Sequence, residues 1–316
     1  MATERKSQAS FIKFIAYLQV IGIILVVFGH SFHEYPDNSH GTSLLIYRLC
    51  YSFRMPLFMF VSGFLMMHTE FMKDKVPSVK RFGLVKVKRL LIPYFTLTLL
   101  TYFPRASMSG LADESVELST SGLLQSFYVT DMLPIPYFWF LQASFLLLIS
   151  TYVVISICRR LRLPDYIAVA VLIAIAICLE CIDWNSREVF SYKKAISYSV
   201  FFISGIAYCR YSPQADRWLP LDSFTALGIS FALWLTAFLL WEGTAYVIAA
   251  SFFGIAMCIA AAKLLVRHHV TVLDHLVGAN YIIFLLSWYF NVATQQILSH
   301  YVTIPWQLHT LMSLTF

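Results

Sequence analysis

The chain has 316 residues, of which 59% are apolar and only 13% are charged, and its mean hydropathy is +0.70. A soluble domain carries roughly 25% charged residues, so this composition excludes an ordinary soluble enzyme and indicates a lipid environment. The net charge of +6 does not indicate nucleic-acid binding, because its meaning depends on which loops carry the positive residues.

Apolar runs recur along the chain, most of them with the length of about 17–25 residues that a helix needs to cross the hydrocarbon core. They predict an all-α, polytopic membrane bundle of about ten transmembrane helices. We expect a single transmembrane domain over residues 1–316, with the chain ending inside its last helix. The predicted spans are 11–33, 44–67, 88–104, 136–158, 165–183, 194–210, 222–241, 245–265, 279–299 and 304–316.

Basic residues alternate between the loops. The leader and the loops after spans two, four, six and eight carry lysine and arginine, whereas the other loops are poor in basic residues or acidic. The exceptions are Arg105, Arg187, Lys193 and Lys194. By the positive-inside rule the basic loops lie in the cytoplasm. The sequence therefore predicts that both termini are cytoplasmic.

The first span ends near His30, and Gln19 lies eleven residues before it. Eleven residues make three helical turns plus about 20°, so the two side chains share one face, about 16 Å apart. An imidazole can take a proton from a hydroxyl and return it, but an interfacial histidine solvated by water or headgroups fits the pattern equally well. His33 and Glu34 follow at helical spacing, yet they make a poor metal site with His30, and we predict no metal.

The second span contains Arg54, about ten residues from its start and therefore roughly 15 Å into the membrane. A charged side chain at that depth is costly and is expected to face the bundle interior, where it pairs with a negative group or with backbone carbonyls. We predict a substrate-binding or structural ion-pair role for it. Pro56 and Gly63 are expected to loosen the helix around it.

Two further groups of residues have an ordinary explanation and a functional one. Seven positive residues lie between Lys73 and Arg89; they satisfy the positive-inside rule and attract anionic lipid, or they bind the phosphates of a cytoplasmic cofactor. On the outer side, the aromatic run containing Trp139 and the acidic end of span five at Glu180 are typical of a membrane interface, or they bind a sugar. Composition alone favours the ordinary explanation for both groups.

Five blocks in chain order resemble the integral-membrane acyltransferase family (acyltransferase family 3), which O-acylates bacterial surface polysaccharides. The blocks are Gly22–Ser31, Phe53–Phe64, Lys86–Tyr94, Phe138–Leu141 and Phe201–Gly205. The resemblance covers nearly the whole chain, and the order of the blocks agrees with the predicted topology. Near the end, Leu285–Trp288 lacks the histidine that many members carry, and Gln19 stands where the family has Arg or sometimes Lys.

The resemblance implies that the protein moves an acyl group, most simply acetyl, from cytoplasmic acetyl-CoA or another acyl-CoA. The acceptor would be a hydroxyl of an extracytoplasmic cell-surface sugar or polysaccharide, and the protein would cross the bacterial inner membrane several times. His30 is expected to act as general base or to relay the acyl group, and Arg54 or Gln19 to stabilise the oxyanion. Lys86, Arg89 and Arg81 are expected to bind the CoA phosphates, and Glu34, Trp139 and Glu180 the acceptor.

A non-catalytic transporter or exporter of a glycan or small molecule is the main alternative, and an inactive family member with a binding or scaffold role is a second. Transporters usually show paired repeats with broken helices in both halves. The intramembrane polar residues of this chain are instead concentrated in spans one and two. This asymmetry favours the enzyme.

Overall fold

A computed structural model of the chain describes residues 2–31, 41–72, 76–107, 119–218, 220–240, 243–287 and 289. Over these residues the structure is helical and without strands, apart from one isolated bridge between Val129 and Val189. The predicted all-α membrane bundle is confirmed. The helices are α1 (Ala2–His30), α2 (Gly41–Tyr51), α3 (Arg54–Met66), α4 (Val79–Lys86), α5 (Ile92–Ser107), α6 (Thr120–Ser126), α7 (Trp139–Arg160), α8 (Asp165–Glu180), α9 (Tyr192–Trp218), α10 (Phe224–Leu239) and α11 (Gly243–Arg267).

Four helical segments among the described residues are long and apolar enough to cross a membrane. They are Lys13–His30, Leu45–Phe71, Pro136–Arg160 and Val247–Arg267. Helix α10 is apolar but shorter. The count of ten spans and the orientation stay predictions, since much of the predicted span 279–299 and all of span 304–316 lie outside the described residues.

Short irregular helices connect or extend the long ones. Helix α3 continues into a π-helical turn at Met67–Phe71, and a second π-helical turn at Val87–Leu91 joins α4 to α5. Such turns open the regular hydrogen-bond ladder and are frequent at functional sites. Single 3-10 turns lie at Thr130–Met132, Pro136–Phe138 and Val272–Leu276.

The chain is organised as two compact units. The first comprises Met1–Val61 and Pro213–Phe316, and the second comprises Ser62–Ser212. In the first unit α11 packs against both α10 and α1. The loop after α11 is tied to α1 by Asp274, whose carboxylate accepts hydrogen bonds from the Tyr17 hydroxyl at 2.6 Å and the Lys13 ammonium at 3.1 Å.

The second unit is fastened by a buried polar network at the start of α7. The Gln142 amide donates to the Tyr94 hydroxyl at 2.8 Å and accepts from the Ser191 hydroxyl at 2.5 Å, and all three side chains are fully buried. Buried polar groups that find partners fix one arrangement of the surrounding helices. This network therefore sets α5 and the start of α9 against α7.

An ion cluster lies at the other end of α7. Asp165 begins α8 and accepts from Arg210 at 2.6 Å and from Arg159 at 3.3 Å. Arg159 also donates to the backbone carbonyl of Phe71 at 2.9 Å. The cluster thus joins α7, α8 and α9 on the side that the positive-inside rule predicts to be cytoplasmic.

Gly63 of α3 lies directly against the backbone of α9. A Cβ atom at this position would overlap the backbone carbonyl of Phe202. Small residues let membrane helices approach this closely, and the packing contacts they allow drive helix association in lipid. Two of the blocks that resemble the acyltransferase family therefore touch here.

We predict that Gly63→Ala destabilises the protein by about 1–3 kcal/mol, because the backbone of α9 has to move away from the added methyl group. Thermal unfolding in detergent measures the effect. Gly83→Ala is the matched control, since the nearest atom to its Cβ is Ile149 Cδ1 at 3.9 Å. Equal stability of the two variants would contradict the close contact.

Candidate active site

His30 is the last residue of α1 and is buried, with 6% of its surface exposed. Ser31 follows it, and both the Ser31 amide and its hydroxyl donate to the carbonyl of Val27, at 3.1 Å and 3.0 Å. The chain therefore closes the last turn of α1 immediately after the imidazole. The histidine is therefore shielded from bulk water, although it is the last residue of its helix.

Arg54 begins α3 and is 1% exposed. Its Nη1 atom donates to the carbonyl of Val26 at 3.5 Å, and its Cζ atom lies 3.5 Å from the ring centroid of Tyr51. The carbonyls at the C-terminal end of a helix carry partial negative charge, and an aromatic face attracts a cation. The guanidinium is thus held by the last turn of α1 on one side and by an aromatic ring on the other.

Gly29 lets the guanidinium reach that turn. A Cβ at Gly29 would overlap Nη1 of Arg54, and it would lie 3.4 Å from Cβ of Cys50. Gly29 directly precedes His30 in the chain, so the Arg54 guanidinium lies against the helical turn that ends in His30. The sequence predicted an interior partner for Arg54 and did not identify that partner as the end of α1.

The helix that carries Arg54 is broken just before it. Helix α2 ends at Tyr51, two turn residues follow, and α3 begins at Arg54. Both of these turn residues, Ser52 and Phe53, are 3% exposed, so the break is buried. The predicted span 44–67 agrees with the membrane-spanning segment Leu45–Phe71. The break lies close to Pro56, where the sequence predicted a loosened helix.

Gln19 lies apart from His30 and Arg54. It is half-buried on α1, and the eleven residues to His30 correspond to about 16 Å along the helix. The structure places Arg54 against α1 at Val26 and Gly29, next to His30 in the chain, and Gln19 lies about three turns from His30. Its expected role stays a prediction.

The three predicted phosphate ligands lie in the second unit and differ in exposure. Arg81 and Arg89 are exposed, whereas only 13% of the Lys86 side chain is exposed and its ammonium lies 3.8 Å from the Glu70 carboxylate. Burial lowers the pKa of Lys86, and Glu70 partly opposes that shift. Lys86 therefore already has a counterion in Glu70.

A shallow groove of about 260 Å³ runs along α4 beside Arg81. Its lining residues are Ser78, Lys80, Arg81, Leu84, Val85 and Lys88. Three of the six are basic, and the Ser78 hydroxyl caps the helix by accepting from the Arg81 amide at 3.3 Å. An anion of the size of a phosphate would meet positive charge on several sides of this groove.

The predicted acceptor residues are only partly described. Glu34 lies outside the described residues. Trp139 begins α7, where its indole stacks on Tyr198 with ring centroids 5.2 Å apart, and the Lys194 ammonium lies 5.7 Å from the same ring. Glu180 is the exposed last residue of α8. Their roles as sugar ligands stay predictions.

Groups of three or more His, Cys, Asp or Glu side chains arranged to hold a metal ion do not occur among the described residues. The polar groups gathered around α1 and α3 are instead one imidazole, one guanidinium and backbone carbonyls. These groups suit proton transfer and the stabilisation of negative charge on a reacting oxygen.

Apolar helices long enough to cross a membrane, with a buried histidine that ends α1 and a buried arginine that contacts the same end of α1, define a polytopic membrane protein with a polar site among its helices. A family model described as an acyltransferase domain matches residues 12–316. The chain therefore belongs to acyltransferase family 3. No curated protein and no solved structure matches it.

We predict that Gly29→Ala destabilises the protein by about 1–3 kcal/mol, because the added methyl group occupies the space of the Arg54 guanidinium. Thermal unfolding in detergent checks this. Gly228→Ala is the control, since a Cβ there meets nothing within 4 Å, and helix propensity alone should make that variant up to about 1 kcal/mol more stable.

Thermal unfolding of Gly29→Ala in the Arg54→Ala background tests whether the added methyl group collides with the guanidinium. With the guanidinium removed, the loss caused by Gly29→Ala should shrink, because the two substitutions act on one contact. A loss of unchanged size in that background would mean that the methyl group collides with something other than Arg54.

Proposed function

We propose that this membrane acyltransferase moves an acyl group, most simply acetyl, from cytoplasmic acyl-CoA to a hydroxyl of a sugar or polysaccharide outside the cytoplasm. The observation that carries the proposal is the contact between the Arg54 guanidinium and the end of α1, whose last residue is His30. Membership of the family supports acyl transfer as the reaction type. The choice of acetyl-CoA, of a glycan acceptor and of a bacterial inner membrane rests on the resemblance described above and on the loop charges.

Acyl transfer to a hydroxyl needs a base for the hydroxyl proton and a donor for the oxyanion. His30 takes the proton as the hydroxyl oxygen attacks the thioester carbonyl, and Arg54 stabilises the negative charge that develops on the carbonyl oxygen. Collapse of the tetrahedral intermediate expels the CoA thiolate, which receives the proton from His30. An arginine remains charged throughout this sequence because its guanidinium group does not lose its proton in proteins.

Arg54 suits the oxyanion role better than Gln19 for a geometric reason. A donor acts on a developing oxyanion only from about 3 Å, and Gln19 lies about 16 Å along α1 from the histidine. We assign the oxyanion contact to Arg54. Gln19 is left as a polar group on the same face, three turns further into the bundle.

The phosphates of the donor are proposed to bind the basic segment of the second unit. Arg81 and Arg89 are exposed, and Arg81 lines the groove on α4. Lys86 would have to leave Glu70 before it could bind phosphate, which makes its contribution smaller than that of Arg81. Glu34, Trp139 and Glu180 are the proposed contacts of the acceptor on the outer side.

We predict that His30→Ala and Arg54→Ala each reduce release of CoA from radiolabelled acetyl-CoA by about 10²–10³-fold or more, because each removes a group acting in the transition state. Purified protein in detergent is assayed for CoA release and label transfer. The exposed residues His275 and Arg160 supply the matched controls His275→Ala and Arg160→Ala, which should retain full activity.

Undiminished transfer by His30→Ala would remove the histidine from the reaction. Saturable CoA binding without turnover in the parent would show that the acceptor sugar is missing from the assay. Absence of both turnover and CoA binding in the parent would overturn the proposed donor and favour the transporter.

We predict that Arg81→Ala and Arg89→Ala weaken CoA binding by about tenfold each. Lys86→Ala should have a smaller effect than Arg81→Ala, because Lys86 already pairs with Glu70. Binding of unlabelled CoA to the detergent-solubilised protein measures this, with Arg160→Ala as the control. If Lys86→Ala has the largest effect, Glu70 does not compete with the ligand.

A further inference from the structure

We infer that Ser52, Trp234 and Ser251 form a hydrogen-bonded anchor that positions Arg54 for the reaction. The inference rests on the proposed function, since it assigns positioning residues to a reaction in which Arg54 acts. Trp234 lies on α10 and Ser251 on α11. Neither residue belongs to the five blocks that resemble the family.

The break before Arg54 leaves backbone carbonyls that need hydrogen-bond donors from elsewhere in the protein. Where a helix is interrupted at membrane depth, backbone carbonyls lose their intrahelical donors and lipid offers no replacement. Such an interruption persists only where the rest of the protein supplies hydrogen bonds. In this chain the carbonyls of Leu49 and Ser52 receive such hydrogen bonds from side chains.

Ser52 is bonded at both its hydroxyl and its carbonyl. Its hydroxyl donates to the carbonyl of Leu49 at 2.7 Å and accepts from Trp234 Nε1 at 3.0 Å. The Ser52 carbonyl accepts from the hydroxyl of Ser251 at 2.9 Å. Ser251 is 1% exposed and Trp234 is 6% exposed, so both bonds lie away from water.

Phe53, the second residue of the break, is held in place by packing. A Cβ at Gly254 of α11 would overlap the Phe53 ring, so the ring lies directly on the backbone of that helix. The same ring meets the indole of Trp234 edge to face, with centroids 5.5 Å apart and an interplanar angle of 83°. The break is therefore held by hydrogen bonds at Ser52 and by tight packing at Phe53.

Arg54 is the next residue, so its backbone position follows from this anchor. Its side chain then runs to the carbonyl of Val26 and the ring of Tyr51. A long side chain reaches one position reproducibly only if its base is fixed, and a displacement of about 1 Å at a reacting group can cost roughly 10²-fold in rate. Loosening the anchor should therefore move the guanidinium while the protein remains folded.

The test uses Trp234→Phe, which keeps an aromatic ring and removes the N–H, and Ser251→Ala, which removes the hydroxyl. In the full chain in detergent we expect kcat for acetyl-CoA to fall by about 10–100-fold in each variant, with KM for acetyl-CoA unchanged. The matched controls are Trp184→Phe and Ser150→Ala, whose Nε1 and hydroxyl groups donate to backbone carbonyls of their own segments.

Hydrogen exchange gives a second readout that does not depend on activity. Peptides that cover residues 26–31 should exchange faster in Trp234→Phe and Ser251→Ala, as they should in Arg54→Ala, because each change withdraws the guanidinium from the last turn of α1. Adding Ser251→Ala to Arg54→Ala should then produce no further increase at residues 26–31.

Faster exchange at residues 49–57 with no change at residues 26–31 would overturn the inference, because the anchor would then stabilise only its own segment. An equal loss of kcat in Trp184→Phe would overturn it as well. If the parent neither turns over nor binds acetyl-CoA, the proposed function fails, and the exchange at residues 26–31 still decides whether the anchor positions Arg54.

Discussion

A guanidinium buried among membrane helices must obtain its partners from the protein, because lipid offers neither hydrogen-bond acceptors nor counter-charge. In this chain Arg54 meets that requirement with the C-terminal end of α1 and with the ring of Tyr51. The end of α1 is suitable because its carbonyls carry partial negative charge, and because Gly29 leaves room for close approach. The first unit of the structure depends on this contact, which sets the break between α2 and α3 against α1.

The fold was predictable where long apolar runs decide it. Helices α1, α7, α10 and α11 lie inside or around the predicted spans, since a run of about 20 apolar residues has few alternatives to a membrane helix. Pro56 predicted a loosened helix near Arg54, but the local sequence did not predict which residues hold Ser52. Its partners Trp234 and Ser251 are 182 and 199 residues away along the chain, and only the packing of α10 and α11 brings them to the break.

The candidate site was predictable as a set of residue types and less so as a geometry. His30 and Arg54 attract attention because ionisable groups inside apolar runs are expensive, but their spacing in sequence gives no contact between them. Lys86 shows a contact that composition does not predict: Glu70, on the preceding π-helical turn, lies 3.8 Å from it. Pairing between a helix end and an earlier turn leaves no signal in composition, and the phosphate-binding role of Lys86 stays a prediction.

The central claim is that His30 and Arg54 act on one transition state, and a double-mutant cycle tests it most directly. Acyl transfer from acetyl-CoA is measured for the parent, His30→Ala, Arg54→Ala and the variant carrying both substitutions. Groups that act as a unit are strongly non-additive. We expect the double variant to be no slower than the slower single variant. Fully additive losses, with the double variant slower by the product of the two single effects, would contradict the account.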